Sequence, residues 1–138
     1  MGWKETCYQK LVQAGLFENA GHRARFRELI DCYSHYPFFN KGLCKCMYLS
    51  AWDEEHFVIL LETLMGMAAG REKDTRDMEE RGDELLKEHT DAEYYVYLLS
   101  CAFLENKPYD EPEEGQIPAE TAHIIKQALR AAEVIERA

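Results

Sequence analysis

The apolar residues recur at intervals of three and four along almost the whole chain, and this spacing restricts the fold more than any other feature. Trp3, Cys7, Leu11 and Ala14 step by four, four and three, the signature of one helix face. Phe26, Leu29, Ile30 and Tyr33 repeat the pattern, as do Thr121, Ile124, Ile125, Ala128, Leu129, Ala132 and Ile135. No alternating apolar run is flanked by hairpin turns, so strands are not expected. The spacing predicts an all-α fold, a compact bundle of about six or seven helices.

Local signals place the helix ends. Gly15 is the expected stop of the first helix, and a second follows Asn19-Ala20-Gly21 until Pro37 closes it, because the residue before a proline avoids helical angles. Asn40 is placed to cap a third helix through Leu43, Met47 and Tyr48. Ser50-Ala51-Trp52-Asp53 reads as a capping-box variant, with an acid three residues after the serine. Beyond it, Phe57-Val58-Ile59-Leu60-Leu61 and Leu64-Met65 are apolar on nearly every side. A helix without a polar face belongs inside, so residues 51–69 are expected to form the central helix. Arg71 to Glu88 is polar, and Gly82 should weaken any helix there by about 1 kcal/mol relative to Ala. Thr90-Asp91-Ala92-Glu93 is a full capping box, and Pro108, Pro112 and Gly115 mark a loop over 107–117. Pro118 suits the first turn of a last helix.

With 138 residues, 46% of them apolar, the chain is long enough for one core and is read as a single domain, 1–138. Its five cysteines cannot all pair. No stretch approaches the roughly 18 apolar residues of a membrane span, and Met1-Gly2-Trp3-Lys4 lacks the layout of a secretory signal. A cytoplasmic location is expected. The net charge of −10 is unevenly spread: the first fifty residues are basic by three, and the remainder is strongly acidic. Such a field repels phosphates over a Debye length of about 8 Å. It argues against direct nucleic-acid or membrane binding and permits a protein partner with a basic surface.

Two side-chain sets have the inventory for a metal. Cys32-x-x-His35 with Cys44-x-Cys46 offers zinc ligands, but a helix would aim Cys44 and Cys46 to nearly opposite sides. Asp53-x-x-His56 and Glu120-x-x-His123, with Glu62 and Glu93, resemble a four-helix di-metal pattern. Against it, Asp53 and Glu120 occupy first turns, where acids commonly oppose the helix dipole. Cys7 and Cys101 lie on apolar stripes, with no base marked nearby, and phosphate loops and serine elbows are missing. No metal, cofactor or catalytic residue is assigned. Arg23, Arg25 and Arg27, among aromatics, could meet single strands, but a solvated helix face is the simpler reading.

Tyr36, Phe38, Phe39 and Trp52 crowd one junction, where they either plug the bundle or anchor a partner. With the acids Asp74, Asp77, Glu80 and Glu84, they are the candidate protein-binding residues. The segment from Tyr36-Pro37-Phe38-Phe39 through Trp52-Asp53-Glu54-Glu55-His56-Phe57 resembles short proteins of mobile elements and prophages in gut Firmicutes. The resemblance extends to Ala92-Glu93-Tyr94-Tyr95-Val96-Tyr97 and to Ala128-Leu129-Arg130-Ala131. It implies a bacterial setting and carries no activity and no site residue. The expectation is a non-enzymatic interaction module that binds a host or element protein. Alternatives are an acidic nucleic-acid mimic, a metal-binding helical-bundle enzyme, and self-association through residues 119–137.

Overall fold

In the computed structural model, residues 2–76, 78–80, 82 and 92–138 are described, and among them six helices are delimited and no strand occurs. They are α1 (Trp3–Gln13), α2 (Ala20–Tyr33), α3 (Lys41–Ser50), α4 (Glu54–Ala68), α5 (Ala92–Glu105) and α6 (Ala119–Arg137). Arg76, residues 78–80 and Gly82 are helical too. The fold is all-α, as the spacing predicts. No described helix is long and apolar enough to cross a membrane.

Side-chain caps start the helices where short polar residues stand. Asn19 and Asn40 each accept a backbone N–H three residues on, from His22 and Leu43, at 2.8 Å, satisfying a donor the helix itself leaves unpaired. The start of α4 falls three residues later than Ser50 suggests. Asp53 is the cap and accepts the His56 N–H, while Ser50 ends α3, buried 3.9 Å from the Cys46 sulfur. Pro118 likewise precedes the first turn of α6 rather than lying in it. Thr90 and Asp91 of the expected capping box lie outside the described residues.

Left-handed glycines end α1 and α4. Gly15 (φ 67°) and Gly70 (φ 78°) let the chain turn back, and the Leu16 and Arg71 N–H groups reach the Leu11 and Gly66 carbonyls at 3.2 and 2.9 Å. This is the Schellman arrangement, which glycine enters without a Cβ clash.

One hydrophobic cluster draws on all six helices. Its centre is α3, which touches α2, α4, α5 and α6. Leu43, Cys44, Cys46, Met47, Tyr48, Leu49 and Ser50 are all buried. Residues 51–69, expected at the centre, instead form a flank. Phe57, Leu60 and Leu64 of α4 face the core, but Val58, Ile59 and Met65 are 47%, 53% and 50% exposed. The reason is room: Gly42 and two slim cysteines let α5 and α6 close upon α3, whereas α4 is bulky all round. Lys41 and Lys45 mark the edge of α3, reaching the Glu136 carbonyl and carboxylate at 2.7 and 2.8 Å. The α6 stripe expected to meet a second copy is already used: Ile124, Ile125, Ala128, Ala131 and Ile135 are buried in the chain's own core.

One polar joint sits inside this core. His22 is 1% exposed. Its Nδ1 accepts the Glu18 N–H at 3.1 Å, which leaves the proton on Nε2 to donate to the Tyr48 carbonyl at 2.8 Å. The Tyr48 hydroxyl donates to the Leu16 carbonyl. Three loops and helices are thereby pinned with every polar atom of the imidazole satisfied.

Candidate functional site

A cleft of about 850 Å³ lies between the end of α3, α4, the described residues of the 71–82 segment and α5. Cys46 and Ser50 of α3 lie at its floor, with Leu60 and Thr63 of α4. Glu55, His56, Ile59 and Glu62 come from the outer turns of α4, and Glu93, Tyr97, Ser100, Cys101 and Leu104 from α5. The remaining wall is Arg71, Glu72, Met78, Glu79 and Gly82. Helical periodicity explains the α4 contribution, since positions 55, 59, 62, 63 and 66 share one stripe.

Two glycines let the 71–82 wall close on its neighbours. A Cβ on Gly66 would stand 2.9 Å from the Glu72 carboxylate, and one on Gly82 would enter the Tyr97 ring. Gly82, which weakens a helix by its propensity, is thus required by packing. The Tyr97 hydroxyl donates to the Glu79 carbonyl and fastens that wall to α5.

The cleft is acidic. Among the described residues its lining holds five carboxyl groups (Glu55, Glu62, Glu72, Glu79 and Glu93) and one guanidinium, that of Arg71. Glu55, Glu62 and Glu93 make no ion pair among the described residues. Burial first, then the neighbouring Glu105 and Asp74, raise the Glu79 pKa above its ordinary value. Its Oε1 is buried without a hydrogen-bond partner among the described residues. Burial pushes the Cys46 thiol up to about 12 and also raises Cys101. Both sulfurs therefore stay protonated near neutrality, the form that is neither a strong nucleophile nor a ready metal ligand. Asp53 holds His56 at the mouth, its Oδ2 lying 2.8 Å from Nδ1. Burial alone would raise the Asp53 pKa, but the bonds from the His56 side chain and backbone outweigh it and lower the value.

The proposed metal sets do not assemble. Cys32 is exposed, whereas Cys44 and Cys46 are buried, Cys44 hydrogen-bonding with Cys7 and Cys46 neighbouring Cys101. The His35 ring lies tilted against Tyr36, 4.4 Å between centroids. His56 lies on the cleft with Glu62 and Glu93, as the di-metal pattern requires, but His123 pairs with Glu18 at 3.0 Å and Glu120 is exposed. Among the described residues the one group of donor atoms close enough for an ion is Glu79, Cys101 and Glu105, within 4.8 Å of one another. Glu105 already pairs with Lys107 at 3.0 Å. Three donors, one a protonated thiol, fall short of the closed tetrahedron of structural zinc.

Of the expected protein-binding residues, the aromatics serve as half-buried packing. Tyr36 stacks on Phe38 at 5.1 Å, Phe39 on Trp3 at 5.5 Å, and Trp52 lies 5.0 Å from the His56 ring. Asp74 pairs with Arg76 at 2.9 Å, and Glu80 is exposed. Asp77 and Glu84 lie outside the described residues. Two of the three arginines of the basic face are engaged internally, Arg25 donating to the Ala51 and Trp52 carbonyls and Arg27 pairing with Glu5 and Asp31 over the Tyr8 ring, while Arg23 is exposed. Sequence reasoning missed Thr63, Tyr97, Ser100 and Glu79. Glu79 and Glu80 are adjacent acids, and only the packing of the segment decides which turns inward.

The chain matches no protein family, no curated protein and no solved structure. The reading of the cleft therefore rests on its own geometry.

Proposed function

We propose that this chain is a non-enzymatic protein-interaction module whose contact surface is the outward face of α4 and the cleft beside it. One observation carries the reading. Of the four exposed large hydrophobic side chains among the described residues, three (Val58, Ile59 and Met65) stand on this one helix. Grouped exposed apolar surface next to a concavity is what a binding face has to offer. The partner has a basic surface, because Glu55, Glu62 and Glu93 make no ion pair among the described residues. In the setting that the sequence resemblance implies, it is a bacterial host protein or one of the mobile element itself, and the encounter takes place in the cytoplasm.

The mimic reading is less favoured on one count. A mimic of nucleic acid needs charge without grease between, whereas Ile59 and Met65 interrupt the acids of α4.

The test is affinity capture from bacterial lysate with wild type, with Ile59→Glu/Met65→Glu, and with Arg130→Glu on the far side of α6. A specific protein retained by wild type and by Arg130→Glu but lost from the α4 variant is the expected result. An identical captured set from all three overturns the assignment.

A further inference from the structure

We infer that the cleft seats one kind of occupant, a cationic amphipathic helix belonging to the protein partner. This rests on the interaction reading above and names what binds. The mode follows by elimination among the ways folded domains grip a segment. Strand addition requires an open sheet edge, and no strand exists among the described residues. Proline-rich segments require an aromatic-lined groove, and among the described residues Tyr97 is the one aromatic ring on these walls besides the imidazole of His56. Phosphopeptide and carboxylate capture need cationic or N–H-lined pockets, the reverse of these acidic walls. A chain terminus would occupy one point of so large a cleft, which leaves a helix pressed into a groove between helices.

Size and charge fit that occupant. The α4 helix has 15 residues, about 22 Å, so four turns of a partner could lie alongside. The 850 Å³ of the cleft accommodates side chains projecting at i, i+3, i+4 and i+7, which a flat surface would not. Ile59 and Leu104 offer apolar contact, while Glu55, Glu62 and Glu93 stand around them without ion pairs among the described residues. Some carboxylates elsewhere are matched, as Glu5 is by Arg27 and Glu136 by Lys45, and others such as Glu120 and Glu133 make no ion pair among the described residues. What sets Glu55, Glu62 and Glu93 apart is that they line a cavity with apolar side chains on its walls. Charge complementarity thus calls for lysine or arginine flanking the apolar stripe of the partner helix.

The probe is a fluorescein-labelled leucine/lysine peptide of about 18 residues, written with helical apolar periodicity. A peptide of the same composition in scrambled order is the control, and binding is followed by fluorescence anisotropy. Both Ile59→Lys and Glu62→Lys alter exposed positions, and Glu133→Lys repeats the charge change of Glu62→Lys at an exposed position of α6. The expected result is saturable binding of the patterned peptide, weakened about tenfold or more by Ile59→Lys and Glu62→Lys and unchanged in Glu133→Lys. Equal binding of the scrambled peptide, equal loss in Glu133→Lys, displacement by spermine, or no binding overturns the inference. So does self-association of the wild type that Ile59→Lys abolishes, since the occupant is then a second copy. If the peptide fails while lysate capture still depends on α4, the occupant is wrong and the module reading stands; if capture is also indifferent to α4, both fall.

Discussion

A Cβ built on Gly42 would lie 2.6 Å from the carbonyl oxygen of Phe103, so α3 and α5 cross with backbone against backbone. That crossing is what allows a ten-residue helix to serve as the hub of the bundle. Gly42→Ala brings a helix-propensity gain of about 1 kcal/mol and an overpacking cost of about 1–3 kcal/mol. The carbonyl cannot swing aside as a flexible side chain would, so the cost should win. Urea denaturation should show a lower midpoint for Gly42→Ala, and a higher one would mean that the two helices stand farther apart.

Neighbouring residues on α4 should behave in opposite ways. Leu60 is 1% exposed and Ile59 is 53% exposed. Leu60→Ala should cost about 2–5 kcal/mol, whereas Ile59→Ala should stay within about 0.5 kcal/mol of wild type. Leu61, the residue most central to a buried-rod reading of this segment, is half-buried and should fall between them. Equal losses at 59 and 60 would put α4 back inside the core.

The helical character of the chain and most of its boundaries were legible because they depend on local chemistry. Asn19, Asn40 and Gly15 act through groups within a few residues of themselves, and apolar spacing reports directly which face is buried. The choice of hub was not legible. Phe57 to Met65 outranks Lys41 to Ser50 in hydrophobicity, yet centrality is decided by how closely neighbours can approach, and Gly42, Cys44 and Cys46 permit what Ile59 and Met65 do not. The lysines of α3 mislead further, since Lys45 has only 14% of its side chain exposed and extends its head to Glu136. The cleft was half legible: His56, Glu62 and Glu93 could be grouped as inward candidates, but the metal pattern that grouped them also enlisted Glu120 and His123, which α6 carries elsewhere.

Stability should fall in mild acid through His22. Burial, more than any other influence, lowers its pKa from the ordinary 6.5. Between 6.5 and the lower folded value the unfolded chain binds more proton, so the contribution of this imidazole is complete above 6.5 and is lost as pH falls. The denaturation midpoint of wild type should therefore drop between pH 7.5 and pH 5 more steeply than that of His22→Gln. Parallel pH profiles for the two proteins would show that His22 is not held neutral by the Glu18 N–H and Tyr48 carbonyl.

Glu79 should show the opposite sign. Its pKa is raised from 4.5, chiefly by burial and then by Glu105 and Asp74, so the folded chain binds more proton and the group's contribution falls as pH rises through the folded value. Glu79→Gln should therefore be more stable than wild type at neutral pH, with the advantage shrinking as pH approaches 4.5. A variant less stable than wild type at neutral pH would mean that the carboxylate has a cationic partner.

Methionine oxidation tests the arrangement of hub and contact face most directly. Met47 of α3 is fully buried and Met65 of α4 is 50% exposed, and peroxide converts accessible thioethers to sulfoxides. Limited peroxide treatment of the folded protein, read by peptide mass spectrometry, should oxidise Met65 early and leave Met47 intact until the chain is unfolded, and the leucine/lysine helix should slow reaction at Met65. Early oxidation of Met47 with Met65 protected in the free protein would contradict both the central place of α3 and the open face of α4.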